Sequence, residues 1–272
     1  MSDSPVRVAA VRRIGAFPGP APSDSDLVAV EEPLQLEIEH GARDTRARVN
    51  AGVVLRTPGR DEHLAAGLLF AEGFIAGAHE IECFESPAPG HLRIHLSPAA
   101  TVDDRLARRV LVRSSACGLC GRDAIDDLRG SGIAALPDGP QVLASTLQRL
   151  PDALRDRQAA FNETGGLHAA ALFDAHGQLI ASAEDVGRHN AVDKLVGASL
   201  ADGMGGAAVL VVSGRAAFEI VHKALRARIP VLAAVGAPSS LAVETARAFN
   251  LTLAGFLRGD RFNIYSGFDR IV

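Results

Sequence analysis

His168-Ala169-Ala170-Ala171-Leu172-Phe173-Asp174-Ala175-His176-Gly177-Gln178-Leu179-Ile180-Ala181-Ser182-Ala183 decides the fold. Two apolar runs, His168 to Phe173 and Gln178 to Ala183, flank Asp174-Ala175-His176-Gly177, a connection of hairpin composition. Downstream the period changes. A helix over Asn190 to Leu200 precedes a strand over Val209 to Ser213, and a helix over Ala217 to Ala227 precedes a strand over Val231 to Val235. A helix over Ser240 to Phe249 and a strand over Thr252 to Leu257 close the series. Strands separated by helices predict an α/β layer with a largely parallel sheet.

Upstream, a helix over Val142 to about Arg157 leads into this region, after the punctuation Gly130-Ser131-Gly132 and Pro137-Asp138-Gly139-Pro140. That punctuation is the expected seam between halves, and a short helix over Arg122 to Leu128 precedes it. The first half reads as β-rich. Leu34, Leu36 and Ile38 alternate with Gln35, Glu37 and Glu39, Arg46 to Arg56 forms a second strand, and Leu92, Ile94 and Leu96 alternate with Arg93 and His95. Asp61 is expected to cap a helix through Leu64, Leu68 and Leu69 towards Phe74. The resulting division is a mobile arm over 1–30, a β-rich domain over 31–135 ending in the Cys loop, and an α/β domain over 136–272.

Composition narrows the function classes. The chain has 272 residues, 47% hydrophobic and 22% charged, as in a soluble globular protein. A net charge of -4 and 4% aromatic residues argue against a nucleic-acid surface. No apolar run approaches the ~20 residues of a bilayer span. Met1 to Ser25 lacks the apolar core of a secretory signal, and three cysteines make no secreted disulfide framework, so a reducing cytoplasm is the expected location. Cys83, in a strand-like stretch, is expected to be a plain buried thiol.

The other two cysteines stand in Ser114-Ser115-Ala116-Cys117-Gly118-Leu119-Cys120-Gly121. A zinc site would need further ligands, and no second Cys pair or closely spaced His pair supplies them. A thioredoxin-like dithiol would sit inside a βαβ unit, but the α/β region comes later. The remaining option is nucleophilic sulfur chemistry. Cys117 precedes a short helix whose dipole favours a thiolate, with Arg113 and Arg122 nearby and Asp123, Asp126 and Asp127 opposing them. A thiolate on a glycine-flanked loop can accept sulfur from a persulfide donor and pass it on.

Three strand-to-helix corners carry Gly, Ser or Arg: Ser182 to Asn190, Ser213-Gly214-Arg215 and Gly236-Ala237-Pro238-Ser239-Ser240. Each alone is ordinary turn chemistry, but together they predict a crevice for phosphate, where free N–H groups, helix dipoles and cations converge. In Phe256-Leu257-Arg258-Gly259-Asp260-Arg261, two arginines can clamp phosphate and Asp260 can accept two donors from a guanine edge, with Asp193 as the alternative acceptor.

With these pieces together the sequence resembles the formate dehydrogenase accessory sulfurtransferase family, FdhD. The carrying stretches are Ser115 to Gly121, Phe161-Asn162-Glu163-Thr164-Gly165-Gly166-Leu167-His168-Ala169-Ala170 and Glu184-Asp185-Val186-Gly187-Arg188-His189-Asn190-Ala191-Val192-Asp193-Lys194. Val212-Ser213-Gly214-Arg215 and Arg258-Gly259-Asp260-Arg261-Phe262-Asn263-Ile264-Tyr265 complete them. The resemblance implies a sulfurtransferase that passes persulfide sulfur from a cysteine desulfurase to the Mo-bis(molybdopterin guanine dinucleotide) cofactor of formate dehydrogenase. A guanine nucleotide is its natural surrogate ligand. Cys117 matches the family's persulfide-forming cysteine, Cys120 its partner, and Phe256 to Arg261 the cofactor-binding stretch. The family also implies a homodimer and a second domain like a cytidine deaminase, hence a β-rich N-terminal region followed by a three-layer α/β domain, with 136–272 as the deaminase-like, cofactor-binding domain. The deaminase zinc motif is absent, since Glu184 lacks a His two residues earlier and no cysteine follows Cys120. The other reading is a non-catalytic chaperone that binds and delivers the cofactor.

Overall fold

A computed structural model of the chain describes residues 4–11, 25–100, 102 and 121–272. Strands β1 (Val6–Ala10) and β2 (Ser25–Ala29) pair antiparallel, so two stretches of the segment expected to be a mobile arm are held in a sheet. Alternation supports this in hindsight only at Val6 and Val8, too short a run to read beside Pro and Ser.

The second sheet has the order β4-β3-β6-β5, built from β3 (Glu32–His40), β4 (Ala47–Arg56), β5 (Ile81–Ala88) and β6 (His91–Leu96). Strands β3 and β6 run parallel, and both outer pairs are antiparallel. Its inner face is the alternating set Leu34, Leu36, Ile38, Leu92, Ile94 and Leu96, packed on Leu64, Ala65 and Leu69 of helix α1 (Asp61–Ala71). Each fully buried leucine or isoleucine here stabilises the fold by ~2 kcal/mol relative to exposure. The outer face is a charge ladder. His95 sets its two ring nitrogens 3.1 and 3.2 Å from the carboxylates of Glu39 and Glu85, while Arg48 bonds Glu39 and Arg93 bonds Glu85.

Two expectations fail in this region. Cys83 is exposed. It sits opposite His95 on edge strand β5, while its neighbour Phe84 pairs with Ile94 and takes the core side. Asp61 is not the cap of α1. Arg60 is the cap residue, at φ 59°, and Asp61 opens the helix with its carboxylate gripped bidentately by Arg56 at 2.8 and 2.9 Å.

The third sheet has the order β12-β11-β10-β9-β7-β8, from β7 (His168–Phe173), β8 (Leu179–Asp185), β9 (Val209–Val212), β10 (Val231–Ala234), β11 (Thr252–Arg258) and β12 (Arg261–Ser266). It is mixed, not largely parallel: only β9-β10 and β10-β11 pair in parallel. The hairpin is the reason. Strand β7 lies between β8 and β9 and runs against both, and β12 folds back on β11.

Helices cover both faces. Leu147, Leu150 and Leu154 of α3 (Ala144–Arg155) pack on Ala169, Ala171, Phe173, Val209, Val211 and Leu257. The alternate residues Ala170, Leu172, Leu210, Val212, Leu232 and Leu253 face α5 (Arg188–Ser199), α6 (Phe218–Arg226) and α7 (Ser240–Ala248). This is a three-layer α/β arrangement generated by period-2 strands between period-3.6 helices. Two further α-helices, α2 (Gly121–Gly130) and the short α4 (Ala159–Thr164), are among the described residues.

The two large sheets join through α1 and α5. A Cβ on Gly67 would stand 1.9 Å from the Asp193 carbonyl oxygen, and one on Gly197 would stand 1.9 Å from that of His63. Only glycine permits backbones to cross that closely. Arg226 adds a second tie, donating from Nε to the Phe70 carbonyl at 3.0 Å with its guanidinium over the Phe70 ring.

Candidate functional site

Because β7 opposes β8 and β9, while β9, β10 and β11 are parallel, the ends of β8, β9, β10 and β11 reach one edge of the third sheet. Helices α5, α6 and α7 start there. Only α7 has a side-chain cap, Ser239 accepting from the Ala242 amide at 3.3 Å; α5 and α6 begin after Gly187 and Ala217 with none. Uncapped first-turn N–H groups and the helix dipole favour an anion.

The corners interlock through the backbone. The Gly236 amide donates to the Gly214 carbonyl at 3.0 Å, and the Phe256 amide donates to the Gly236 carbonyl at 3.0 Å. A Cβ on Gly236 would meet the Gly214 oxygen at 2.8 Å, so the stitch requires glycine. A Cβ on Gly214 would lie 3.4 Å from His168 Nδ1 and 3.5 Å from Arg188 Cδ, which places those two side chains together against the β9 corner. The three predicted corners are thus brought side by side, and His168 at the start of β7 joins them.

Its electrostatics are cationic, and burial together with those cations disfavours charge on its histidines. Burial lowers the pKa of His168, with Arg188 adding to the effect. Burial, then Arg188 and Lys223, brings that of His189 down to about 4. Arg188 Nε is buried with no hydrogen-bond partner among the described residues, and Arg215 is exposed. An orphaned guanidinium donor beside two uncapped helix starts can receive a phosphate or other oxyanion.

Much of the Glu184-to-Lys194 stretch has a different task from the one its composition suggests. The Asp185 carboxylate is wholly buried and pairs with Lys194 at 2.7 Å, while Lys194 donates to the Thr57 carbonyl at 2.7 Å. Asp185 also accepts from the amides of Thr57 at 3.1 Å and Gly187 at 2.9 Å, and from the side chain of Asn190 at 2.9 Å. Glu184 accepts from the Ala160 and Phe161 amides. These groups clamp the β4–α1 connection and set Gly187, hence Arg188 and His189, at the edge. Asp193, the alternative guanine acceptor, is closed off. It is buried against Lys223, and burial pushes its carboxyl up to about 6 despite that cation.

Cys117 and Cys120 lie outside the described residues. Phe256 to Arg261 divides between two places. Phe256 sits at the crevice edge at φ 55°, 42% exposed, at an irregularity in the β11–β12 pairing. A left-handed phenylalanine is strained, and an exposed ring held by strain is a ready stacking surface. Leu257 turns inward and is fully buried under α3. Arg258 pairs across the hairpin with Arg261, Gly259 takes φ 54° in the turn, and all three are exposed with Asp260. The Asp260 backbone oxygen accepts from Gln148 Nε2 at 2.6 Å, which ties the hairpin tip to α3 and leaves the carboxylate outside. Sequence reasoning missed the strain at Phe256, for which no local signal exists beyond the preceding Gly255. His168 and His189 were legible as residues of the family stretches but not as neighbours.

The comparisons with known proteins agree with one another. The sequence model of the FdhD/NarQ family matches residues 29–272. A sulfur carrier protein FdhD from Thermoplasma acidophilum is 46% identical over 253 residues, covering 91% of this chain and 88% of the relative. Its counterpart from Streptomyces coelicolor is 43% identical, with 90% and 89% covered, and that from Mycobacterium tuberculosis 44%, with 90% and 92%. The crystal structure of a protein assigned as a formate dehydrogenase accessory protein from Desulfotalea psychrophila has the same fold, with a TM-score of 0.70 and 24% identity over 98% of each chain. Among the described residues no helix is long and apolar enough to cross a membrane.

Proposed function

The chain belongs to the FdhD/NarQ family, and on that premise we infer that it is a sulfur carrier serving formate dehydrogenase. The observation that carries this reading is the likeness, at 43% to 46% identity over nine-tenths of the chain, to proteins named for carrying sulfur. Cys117-Gly118-Leu119-Cys120 supplies thiols at suitable spacing.

The proposed step is persulfide exchange. The Cys117 thiolate attacks the outer sulfur of a persulfide on a cysteine desulfurase. A sulfur–sulfur bond forms on Cys117, the donor's bond breaks, and the donor leaves as a thiolate, so no outside oxidant is needed. Cys120 supports the relay. The sulfur then passes to Mo-bis(molybdopterin guanine dinucleotide), the cargo. Arg188, Arg215, Arg258 and Arg261 would receive its phosphates, Phe256 would stack on a ring, and the exposed Asp260 carboxylate would accept from the guanine N1 and N2 donors. The cationic edge, its orphaned Arg188 donor and the strained, exposed Phe256 support that placement.

Delivery is the direct test of function: formate dehydrogenase produced without this chain gains activity from the sulfur-loaded protein and none from Cys117→Ala. Capture is tested by calorimetry with GDP and ADP. The wild type prefers GDP, Asp260→Asn loses that preference, and Arg258→Ala weakens both nucleotides about tenfold or more, as for loss of one charged hydrogen bond. Equal affinity for GDP and ADP in the wild type removes the guanine claim.

A further inference from the structure

A recess opens where the β4–α1 connection meets β8, beside the first of the strand-to-helix corners and sharing Ser182 to Glu184 with it. Its volume is about 320 Å³, within the range of small-ligand sites, and Pro58, Arg60, Arg157, Leu167, Glu184 and Lys194 are among its lining. That volume equals roughly ten waters at ~30 Å³ each.

The charged groups around it converge from four segments of the chain. Arg60 Nη1 donates to the Ser182 carbonyl at 2.8 Å, which fixes the guanidinium and leaves its other donors without an acceptor among the described residues. Arg60 holds this position from a left-handed backbone, φ 59° and ψ 34°, directly after Gly59 at φ 92°. Non-glycine strain of that kind is retained at ligand clamps. Arg157 is exposed and pairs with no carboxylate among the described residues. Lys194, 2% exposed, spends two donors on Asp185 and the Thr57 carbonyl, and an ammonium has three. Glu184 is engaged by the Ala160 and Phe161 amides. Lys194 is neutralised by Asp185 behind it, so Arg60 and Arg157 against Glu184 leave one positive charge in excess, and Pro58 and Leu167 give apolar wall beside the polar Thr57 and Ser182.

We propose that this recess binds a small organic monoanion, its carboxylate on Arg60 and Arg157 and its apolar body against Pro58 and Leu167. Single excess charge selects a monoanion over a phosphate dianion, and the apolar surface of Pro58 and Leu167 selects an organic acid over an inorganic ion. The walls come from both the second and third sheets' connections, so occupancy stabilises their docking.

The test is isothermal titration of the full chain with benzoate, with benzamide as the neutral isostere and with inorganic phosphate. Benzoate saturates a single site, while benzamide and phosphate bind at least about tenfold more weakly. Arg157→Gln, whose side chain is exposed, keeps the wild-type unfolding midpoint and weakens benzoate about tenfold; Arg60→Gln does the same to benzoate. Arg228→Gln, outside the lining of the recess, leaves benzoate affinity unchanged. Absence of saturable benzoate binding, equal affinity for benzamide or phosphate, or undiminished binding in the Arg60→Gln/Arg157→Gln double variant overturns the proposal.

Discussion

Lys194 is the residue on which the edge most depends. Its ammonium lies between Asp185 and the Thr57 carbonyl, so one buried cation ties β8, α5 and the β4–α1 connection. Burial lowers its pKa, while Asp185 holds the charge in place. Lys194→Met removes the counter-ion from a wholly buried carboxylate and is expected to destabilise the fold by about 3–5 kcal/mol. Urea unfolding checks this, and a loss under 1 kcal/mol would show that Thr57, Gly187 and Asn190 satisfy Asp185 unaided. Sequence reading saw Asp185 and Lys194 only as polar residues beside a corner. Their partner, Thr57, lies 128 residues from Asp185. No local pattern marks a contact of that separation, and the same composition serves a phosphate loop and a buried clamp equally. Cys83 shows the limit from the other side, since edge-strand position, not residue type, exposes it.

At the scale of elements, alternation and breakers carried most of the information. The β7–β8 hairpin, the helix-strand succession from Arg188 to Arg258 and the inner faces of β3 and β6 follow from periods of 2 and 3.6. Strand order was not legible, because period specifies which face is buried and not which neighbour pairs. Hence the sheet read as largely parallel has β7 reversed between β8 and β9, and β12 reversed at the far edge. The α1–α5 crossing was equally hidden, although Gly67 and Gly197 mark it once known. Gly67→Ala forces a Cβ to 1.9 Å from a backbone oxygen, and the two helices must separate. The expected cost is about 3 kcal/mol or more, at the upper end of overpacking. Gly130→Ala, with nothing within 4 Å, should change stability by less than about 0.5 kcal/mol. Chemical denaturation of the two variants side by side tests the crossing, and similar midpoints would refute it.

The whole molecule places a cationic, glycine-stitched edge on a rigid three-layer domain and docks it to a second sheet through α1. Four strand ends and two uncapped helices meet at that edge, where the proposed function puts the anionic cargo that a thiol of this chain would load with sulfur. The central claim is that Cys117 is that thiol. Intact mass spectrometry after incubation with a cysteine desulfurase and cysteine tests it most directly. The wild type and Cys120→Ala should each gain the mass of one sulfur atom, removable by reductant, and Cys117→Ala should gain none. Sulfur that still loads on Cys117→Ala and still activates formate dehydrogenase would contradict the account.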